Sequence, residues 1–136
     1  MELCLKRPRV LLVDDIPEIL RYCAGILEPD FEIVGTAASG PAAIEAVAET
    51  APDLIVLDIS MPGFNGIEVA RRLRRAGCQA AIVFFSADDA LSELALEAGG
   101  SAYVSKRLID LHLRTAIVEA MAGRQFVRVC SSGRDE

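Results

Sequence analysis

The sequence predicts an α/β domain in which a parallel β-sheet carries helices on both faces. Short runs of β-branched and large apolar residues alternate with longer segments whose apolar residues recur at helical spacing. The resulting order, βαβαβαβαβα, is that of consecutive right-handed βαβ units. A chain of 136 residues, 52% of them hydrophobic, is long enough to form one domain with a buried core.

Five segments are predicted to be strands. The runs at 10–13, 54–57 and 82–85 are wholly apolar, which is typical of strands that are buried on both faces of a parallel sheet. The segments at 31–37 and 101–105 also contain polar residues, so we expect them at the edges of the sheet. The flavodoxin-like strand order 2-1-3-4-5 satisfies this condition. We therefore expect a (βα)5 three-layer sandwich.

Helical patterns separate these strands. Pro17 suits the first turn of the helix that follows the first strand, and Ser39 is expected to cap the helix that follows the second. Two later helices are expected at about 88–98 and 108–122.

The helix after the third strand is expected to start at a capping box formed by Asn65 and Glu68 and to continue through Arg75. Its predicted buried face consists of Val69, Ala70, Leu73 and Ala76. Its predicted outer face carries Arg71, Arg72, Arg74 and Arg75. A strip of arginines can bind phosphate, but the acidic balance of the chain favours a solvated helix face.

The composition argues against several classes of protein. A net charge of −6 disfavours nucleic-acid binding by this domain, because such binding depends on clustered Lys and Arg. No apolar segment has the length of a signal peptide or a membrane span, so we expect no membrane association. Four widely separated cysteines without metal-site spacing indicate reduced thiols in a cytoplasmic protein: Cys4, Cys23, Cys78 and Cys130.

Reactive side chains follow four of the predicted strands. Asp14 and Asp15 follow the first strand and Asp58 follows the third. Ser86 follows the fourth strand and Lys106 the fifth. In open α/β sheets ligands bind at the carboxyl ends of the strands, so these groups are expected to converge on one cleft.

The chemistry of this set suits phosphoryl transfer. Neighbouring carboxylates repel one another, and a hard divalent cation such as Mg²⁺ removes that cost. An aspartate can act as the nucleophile and form an aspartyl phosphate. Lys106 can pair with one phosphoryl oxygen, the Ser86 hydroxyl can donate to a second, and Mg²⁺ can hold a third.

The motifs around these residues resemble the receiver domain of bacterial two-component response regulators. The resemblance covers residues 10–123 and rests on the segments LLVDD (11–15), DISMPGFNG (58–66), FSA (85–87) and AYVSK (102–106). It implies that Asp58 accepts a phosphoryl group from a histidine kinase or phosphotransfer protein. It also implies that Asp15, Asp58 and the main-chain carbonyl of Ser60 bind Mg²⁺, with Asp14 acting through a metal-bound water.

The resemblance further implies a phosphoacceptor protein that assists its own phosphorylation and dephosphorylation rather than an enzyme. Ser86 and Tyr103 occupy the switch positions of the family. Ser86 is expected to move toward the phosphoryl group, and Tyr103 to turn inward into the space beside the fourth strand.

One residue departs from the family pattern. Many receivers have proline after the lysine, whereas this chain has Arg107, so we expect a trans peptide there. Receivers of the NarL/FixJ type, which are joined to helix-turn-helix output domains, often lack that proline. The resemblance therefore implies a NarL/FixJ-like receiver over 1–123. Residues 124–136 are expected to form a frayed tail or the start of a linker.

Three interpretations of function stay open at this level. The leading one is a phosphorylation-controlled module that switches a partner-binding or dimerisation surface. The second is the N-terminal receiver half of a DNA-binding transcription regulator whose output domain lies beyond this chain. A Mg²⁺-dependent phosphatase or a flavin-binding protein of the same architecture is less favoured, since the acidic loop at Asp14 and Asp15 would repel a flavin phosphate.

The last helix carries two apolar stripes, where a surface helix normally needs one. The stripe suited to packing on the sheet consists of Ile109, Leu113, Ala116, Ile117 and Ala120. The opposite stripe consists of Leu108, Leu111, Val118 and Ala122. An exposed second stripe would serve as a homodimer or output-domain surface, unless a neighbouring helix or the tail covers it.

Overall fold

The five predicted strands are all present in the computed structural model, which describes residues 7–130. A sixth strand follows the last helix. The strands are β1 (Arg9–Val13), β2 (Glu32–Ala37), β3 (Leu54–Asp58), β4 (Ala81–Ser86), β5 (Ala102–Ser105) and β6 (Phe126–Arg128). All neighbouring strands pair in parallel, in the order β2-β1-β3-β4-β5-β6. The predicted order 2-1-3-4-5 is confirmed, with β6 added beyond β5.

Strand β6 corrects the expectation of a frayed tail immediately after residue 123. It pairs with β5, and Phe126 joins the buried core with 9% of its surface exposed. The edges of the sheet are therefore β2 and β6, and the expectation that the fifth strand forms an edge was wrong. A strand of three residues is too short to show an alternating pattern, so it could not be predicted from periodicity. Residues 131–136 lie outside the described residues.

The helices lie close to their predicted positions. They are α1 (Pro17–Leu27), α2 (Gly40–Thr50), α3 (Gly66–Arg75), α4 (Ser92–Glu97) and α5 (Ile109–Met121). The segment expected to be a helix over 88–98 begins instead with a 3₁₀ turn at Asp89–Leu91, and α4 has only six residues. A second 3₁₀ turn, Lys106–Leu108, precedes α5. No cis peptide occurs between residues 7 and 130, so the Lys106–Arg107 bond is trans as expected.

Helix α3 follows the prediction in part. Asn65 caps it by accepting a hydrogen bond from the Glu68 amide at 3.0 Å, whereas the Glu68 carboxylate contacts Arg72 rather than completing a capping box. Ala76 is exposed at the C-cap and does not join the buried face. Arg74 is not part of a solvated face, since its guanidinium donates to main-chain carbonyl oxygens.

The core consists of two layers, one on each face of the sheet. Alternate residues of the strands point to opposite faces, so Val10 and Leu12 enter one layer and Leu11 and Val13 the other. Helices α1 and α5 cover the first layer, and α2, α3 and α4 cover the second. The predicted three-layer sandwich is therefore confirmed. The predicted inner stripe of α5 is buried: Ile109, Leu113, Ala116, Ile117 and Ala120.

Two further sequence expectations concern thiols and membranes. Cys23, Cys78 and Cys130 are free thiols, and Cys4 lies outside the described residues. Among residues 7–130, none of the helices combines the length and the apolar character that crossing a bilayer requires.

Candidate functional site

The carboxyl ends of the central strands bring the predicted site residues together. Strands β1 and β3 are neighbours in register, with Val13 opposite Leu57, so the aspartates that come next, Asp14 and Asp58, also lie side by side. Both aspartates are fully buried, whereas Asp15 is exposed at the mouth of the site. The arrangement follows from the chain order, because parallel strands end at the same edge of the sheet.

Three carboxylates form the floor of the site. Oxygen atoms of Asp14, Asp15 and Asp58 all lie within 4.8 Å of one another. Asp14 Oδ1 accepts a hydrogen bond from the Ile16 amide at 2.8 Å, and Asp58 Oδ1 accepts one from the Ser60 amide at 3.2 Å. Asp58 Oδ2 is buried and has no hydrogen-bond partner among residues 7–130. That oxygen is left free to meet a cation or an incoming electrophile.

Lys106 places a positive charge between the two buried aspartates. Its Nζ lies 2.9 Å from Asp14 Oδ2 and 3.4 Å from Asp58 Oδ1. The same atom lies 5.1 Å from the centre of the Phe85 ring, which contributes a weak cation–π attraction. The sequence predicted that Lys106 would meet a phosphoryl group. It did not predict the direct pairing with Asp14.

The charges in the site shift the ionisation of its members. Burial, together with the negative charge of Asp14, raises the pKa of Asp58 to about 6, although Lys106 acts in the opposite direction. Burial by itself would lower the pKa of Lys106, but its hydrogen bond to Asp14 and the charge of Asp58 outweigh that effect and raise it. The site therefore holds a protonated lysine beside an excess of negative charge.

The donor set fits a hard divalent cation. All the candidate ligands are oxygen atoms, the carboxylates repel one another, and Asp58 Oδ2 has an unused lone pair in a buried position. Mg²⁺ prefers oxygen ligands of this kind and satisfies the charge excess. Ser60 is held beside Asp58 through its amide, while coordination by its carbonyl stays a prediction.

Ser86 ends β4, next to the strand that carries Asp58, and is fully buried. Its hydroxyl oxygen accepts a hydrogen bond from the Asp88 amide at 3.0 Å. Ser86 is thus tied to the loop that leads to α4.

Tyr103 already points inward in this structure, and its role as a switch residue stays a prediction. Its ring is already fully buried, and its hydroxyl donates to Asp89 Oδ1 at 2.6 Å. Burial and the Asp89 carboxylate raise the pKa of this phenol. An inward turn of Tyr103 after phosphorylation is therefore not available as a signal from the conformation seen here.

Asp89 is a residue that sequence reasoning missed. One carboxylate oxygen accepts from Tyr103 and the other accepts from the main-chain amide of Cys130 at 2.7 Å. In the sequence it appears only as a second acidic residue at the start of a helix. Its contacts join a loop, β5 and the segment after β6, and such contacts leave no periodic signal.

Comparison with known proteins identifies the family. The family model of the response regulator receiver domain matches residues 10–118. The nitrate/nitrite response regulator protein NarL of Escherichia coli is 35% identical over an alignment of 122 residues, and the match covers 87% of this chain and 56% of that protein. A protein-glutamate methylesterase/protein-glutamine glutaminase of Nocardioides is 44% identical over an alignment of 104 residues, and the match covers 72% of this chain and 28% of that protein. The chain thus spans little more than half the length of the first relative and less of the second.

Solved structures agree with the sequence comparison. A LuxR-family two-component response regulator from Aurantimonas is 35% identical with a TM-score of 0.82, and the match covers 89% of each chain. The signal receiver domain of a response regulator NarL from Mycobacterium tuberculosis is 28% identical with a TM-score of 0.83, covering 88% of this chain and all of that one. With its sheet order and the position of its buried aspartates, the chain belongs to the response regulator receiver domains of two-component signalling.

Proposed function

We propose that Asp58 accepts a phosphoryl group from a histidine kinase or phosphotransfer protein in a Mg²⁺-dependent reaction. The observation that carries this proposal is the Asp58 carboxylate itself. Its Oδ1 is held by the Ser60 amide and Lys106, while its buried Oδ2 has no hydrogen-bond partner among residues 7–130. One oxygen is oriented and the other is available as the nucleophile.

In this reaction Asp58 Oδ2 forms a bond to phosphorus as the bond from phosphorus to the donor breaks, and the donor leaves with that electron pair. Lys106, which already lies 3.4 Å from Asp58, pairs with a phosphoryl oxygen. The Ser86 hydroxyl donates to another phosphoryl oxygen. Asp15, Asp58 and the Ser60 carbonyl would hold Mg²⁺, with Asp14 acting through water. The cation supplies positive charge that offsets the carboxylates and the phosphoryl group.

The proposal describes a phosphoacceptor rather than an enzyme acting on separate substrates. The similarity to a methylesterase covers 28% of that protein, and the receiver fold accounts for it here. Assisted phosphorylation and dephosphorylation at Asp58 are the only chemistry proposed for this domain. A cytoplasmic location belongs to the same proposal, because it is consistent with response regulators.

The test is the intact mass of the protein after incubation with acetyl phosphate, with and without Mg²⁺. The wild type should gain one phosphoryl group only when Mg²⁺ is present. Asp58→Asn should gain none, because the amide keeps the shape of the side chain and removes the nucleophilic oxygen. Asp110→Asn, at an exposed aspartate of α5, is the matched control and should behave as the wild type. Phosphorylation of Asp58→Asn at the wild-type rate would overturn the assignment.

A second proposal concerns the larger protein. The match to NarL covers 87% of this chain, which supports a receiver that works with a helix-turn-helix output domain. DNA contact would then belong to that output domain, since the chain of 136 residues carries a net charge of −6. The coding sequence downstream of Glu136 is the test. A helix-turn-helix segment supports the proposal, and a methylesterase segment contradicts it.

A further inference from the structure

Strand β6 is held against the sheet by a small number of contacts. The chain leaves α5 through Gly123, whose φ of +79° suits glycine, and Arg124 pairs with Glu119 at the turn. The strand then aligns Phe126 with Ala102 and ends opposite Val104. Phe126 is its single buried side chain. The strand therefore contributes three paired residues and one buried side chain to the domain.

Asp89 connects this strand to the rest of the molecule. It lies in the 3₁₀ turn after β4 and accepts hydrogen bonds from two sides, from the Tyr103 hydroxyl at 2.6 Å and from the Cys130 amide at 2.7 Å. Arg107 adds a contact of 3.9 Å between its guanidinium and the Cys130 sulfur. The segment after β6 is thus fastened to the loop between β4 and α4.

The same loop is fastened to the proposed phosphorylation site. Ser86 Oγ accepts from the Asp88 amide, one residue before Asp89. In the sheet, β3 with Asp58 lies on one side of β4, whereas β5 and β6 lie on the other. The hydrogen bond from the Asp88 amide to Ser86 therefore links the proposed phosphorylation site to the loop that carries Asp89 and contacts Cys130.

We propose that phosphorylation of Asp58 releases the segment Phe126–Cys130 from the edge of β5 by drawing Asp89 away from the Cys130 amide. This inference rests on the proposed function of Asp58. In this proposal the conformational change passes from Ser86 through Asp89 to the C-terminal strand, and it does not require an inward turn of Tyr103. Release uncovers the outer edge of β5, whose main-chain groups then become available to a partner strand.

The experiment measures amide hydrogen exchange of the peptide 124–130 by mass spectrometry, with intact mass reporting phosphorylation of the same sample. Phosphorylated wild type should exchange about tenfold faster in this peptide, the factor that corresponds to loss of one charged hydrogen bond. Ser86→Ala, phosphorylated to the same extent, should show no such increase. Phosphorylated wild type with unchanged exchange would overturn the release and leave the function of Asp58 intact. Absence of any mass gain would overturn both.

A second arm tests Asp89 without phosphorylation. Asp89→Ala should exchange faster in peptide 124–130 by a similar factor, because both hydrogen bonds of the carboxylate are lost. Asp89→Leu, which has a side chain of similar size and no hydrogen-bond acceptor, provides the same test if the alanine variant folds poorly. Glu93→Ala removes one exposed negative charge from α4 and should leave the exchange unchanged. Exchange at the wild-type rate in folded Asp89 variants would contradict the proposed link.

Discussion

Two buried aspartates share one lysine at the centre of this domain. Asp14 and Asp58 are both fully buried, and Lys106 Nζ lies within 3.4 Å of each. One positive charge does not balance the carboxylates, so the folded protein carries an electrostatic cost in the absence of a cation. The same charge excess is what attracts Mg²⁺ to the site.

The raised pKa of Asp58 predicts a pH dependence of stability in metal-free protein. The carboxyl has a pKa of about 6 in the folded state, against 3.8 for an unperturbed group. The folded state therefore binds more protons in this range, and the free energy of unfolding falls as pH rises from about 4 to 7. From this group we expect a loss of about 2 kcal/mol.

Urea unfolding in the presence of a chelator measures this loss. Asp58→Asn lacks the buried charge, so it should gain stability over the wild type as pH rises. Asp110→Asn, at an exposed position, is the control and should differ from the wild type by the same small amount at every pH. A constant difference between Asp58→Asn and the wild type would contradict the prediction.

The acidic residues should contribute unequally to Mg²⁺ affinity. Asp14→Ala should weaken binding by roughly 10- to 100-fold, as is usual for a ligand that acts through water. Asp15→Ala should weaken it more, because a direct ligand is lost. Glu32→Ala removes an exposed acid at the opposite end of the sheet and should have no effect. Calorimetric titration gives the affinities, and wild-type binding by both aspartate variants would contradict the proposed ligand set.

At the scale of elements, Arg74 joins α3 to the starts of two strands. One guanidinium nitrogen donates to the carbonyls of Cys78 and Ala80 at 2.9 and 2.8 Å, just before β4. The other donates to the carbonyl of Gly99 at 2.7 Å, near the start of β5. This side chain satisfies main-chain groups that would otherwise depend on water.

Arg74→Ala should therefore destabilise the protein more than the same substitution at a neighbouring exposed arginine does. We expect a loss of about 2 kcal/mol in the free energy of unfolding, since hydrogen bonds from a charged donor are removed. Arg71→Ala is the matched control, because Arg71 is exposed and makes no side-chain hydrogen bond with residues 7–130. Its effect should stay within about 0.5 kcal/mol. If urea unfolding gave the same loss of unfolding free energy for Arg74→Ala and Arg71→Ala, the hydrogen bonds of Arg74 would contribute nothing to stability.

Gly66 allows helix α3 to begin directly beside Asp58 of the acidic site. A Cβ at Gly66 would lie 2.2 Å from the main-chain oxygen of Asp58, so no other residue allows α3 to begin so close to the end of β3. The Gly66 amide in turn donates to the carbonyl of Ile59 at 2.9 Å. The loop after Asp58 is thus held between a strand end and a helix start.

At the scale of the whole molecule, the elements that could be predicted are those whose buried residues lie close together in the sequence. The wholly apolar runs at 10–13, 54–57 and 82–85 identify the central strands, and strand order then brings the aspartates together. Contacts between distant elements carry no such signal. The sequence pattern places Arg74 on a solvated helix face and Asp89 at the start of a helix, although both bind main-chain groups of distant elements. Strand β6 is too short to show a periodic pattern.

The opposite apolar stripe of α5 exposes fewer residues in the structure than the sequence predicts. Leu111 and Val118 are 68% and 53% exposed, and Ala122 is exposed beyond the end of the helix. Leu108 instead packs against the core and does not belong to a free surface. The predicted homodimer or output-domain surface is therefore narrower than the sequence indicated. A shallow depression of about 280 Å³, lined in part by Phe31 and Val118, lies beside it.

Leu111→Glu tests whether this surface mediates self-association. A charge at the centre of an apolar contact must be desolvated without a partner, so the variant should shift the protein toward the monomer and leave folding unchanged. Sedimentation velocity with and without acetyl phosphate and Mg²⁺ measures the oligomeric state. Gln79→Glu, at an exposed position in the loop before β4, adds the same single charge away from the stripe and is the control. A wild type that is dimeric and a Leu111→Glu variant that is equally dimeric would exclude this face of α5 from the interface.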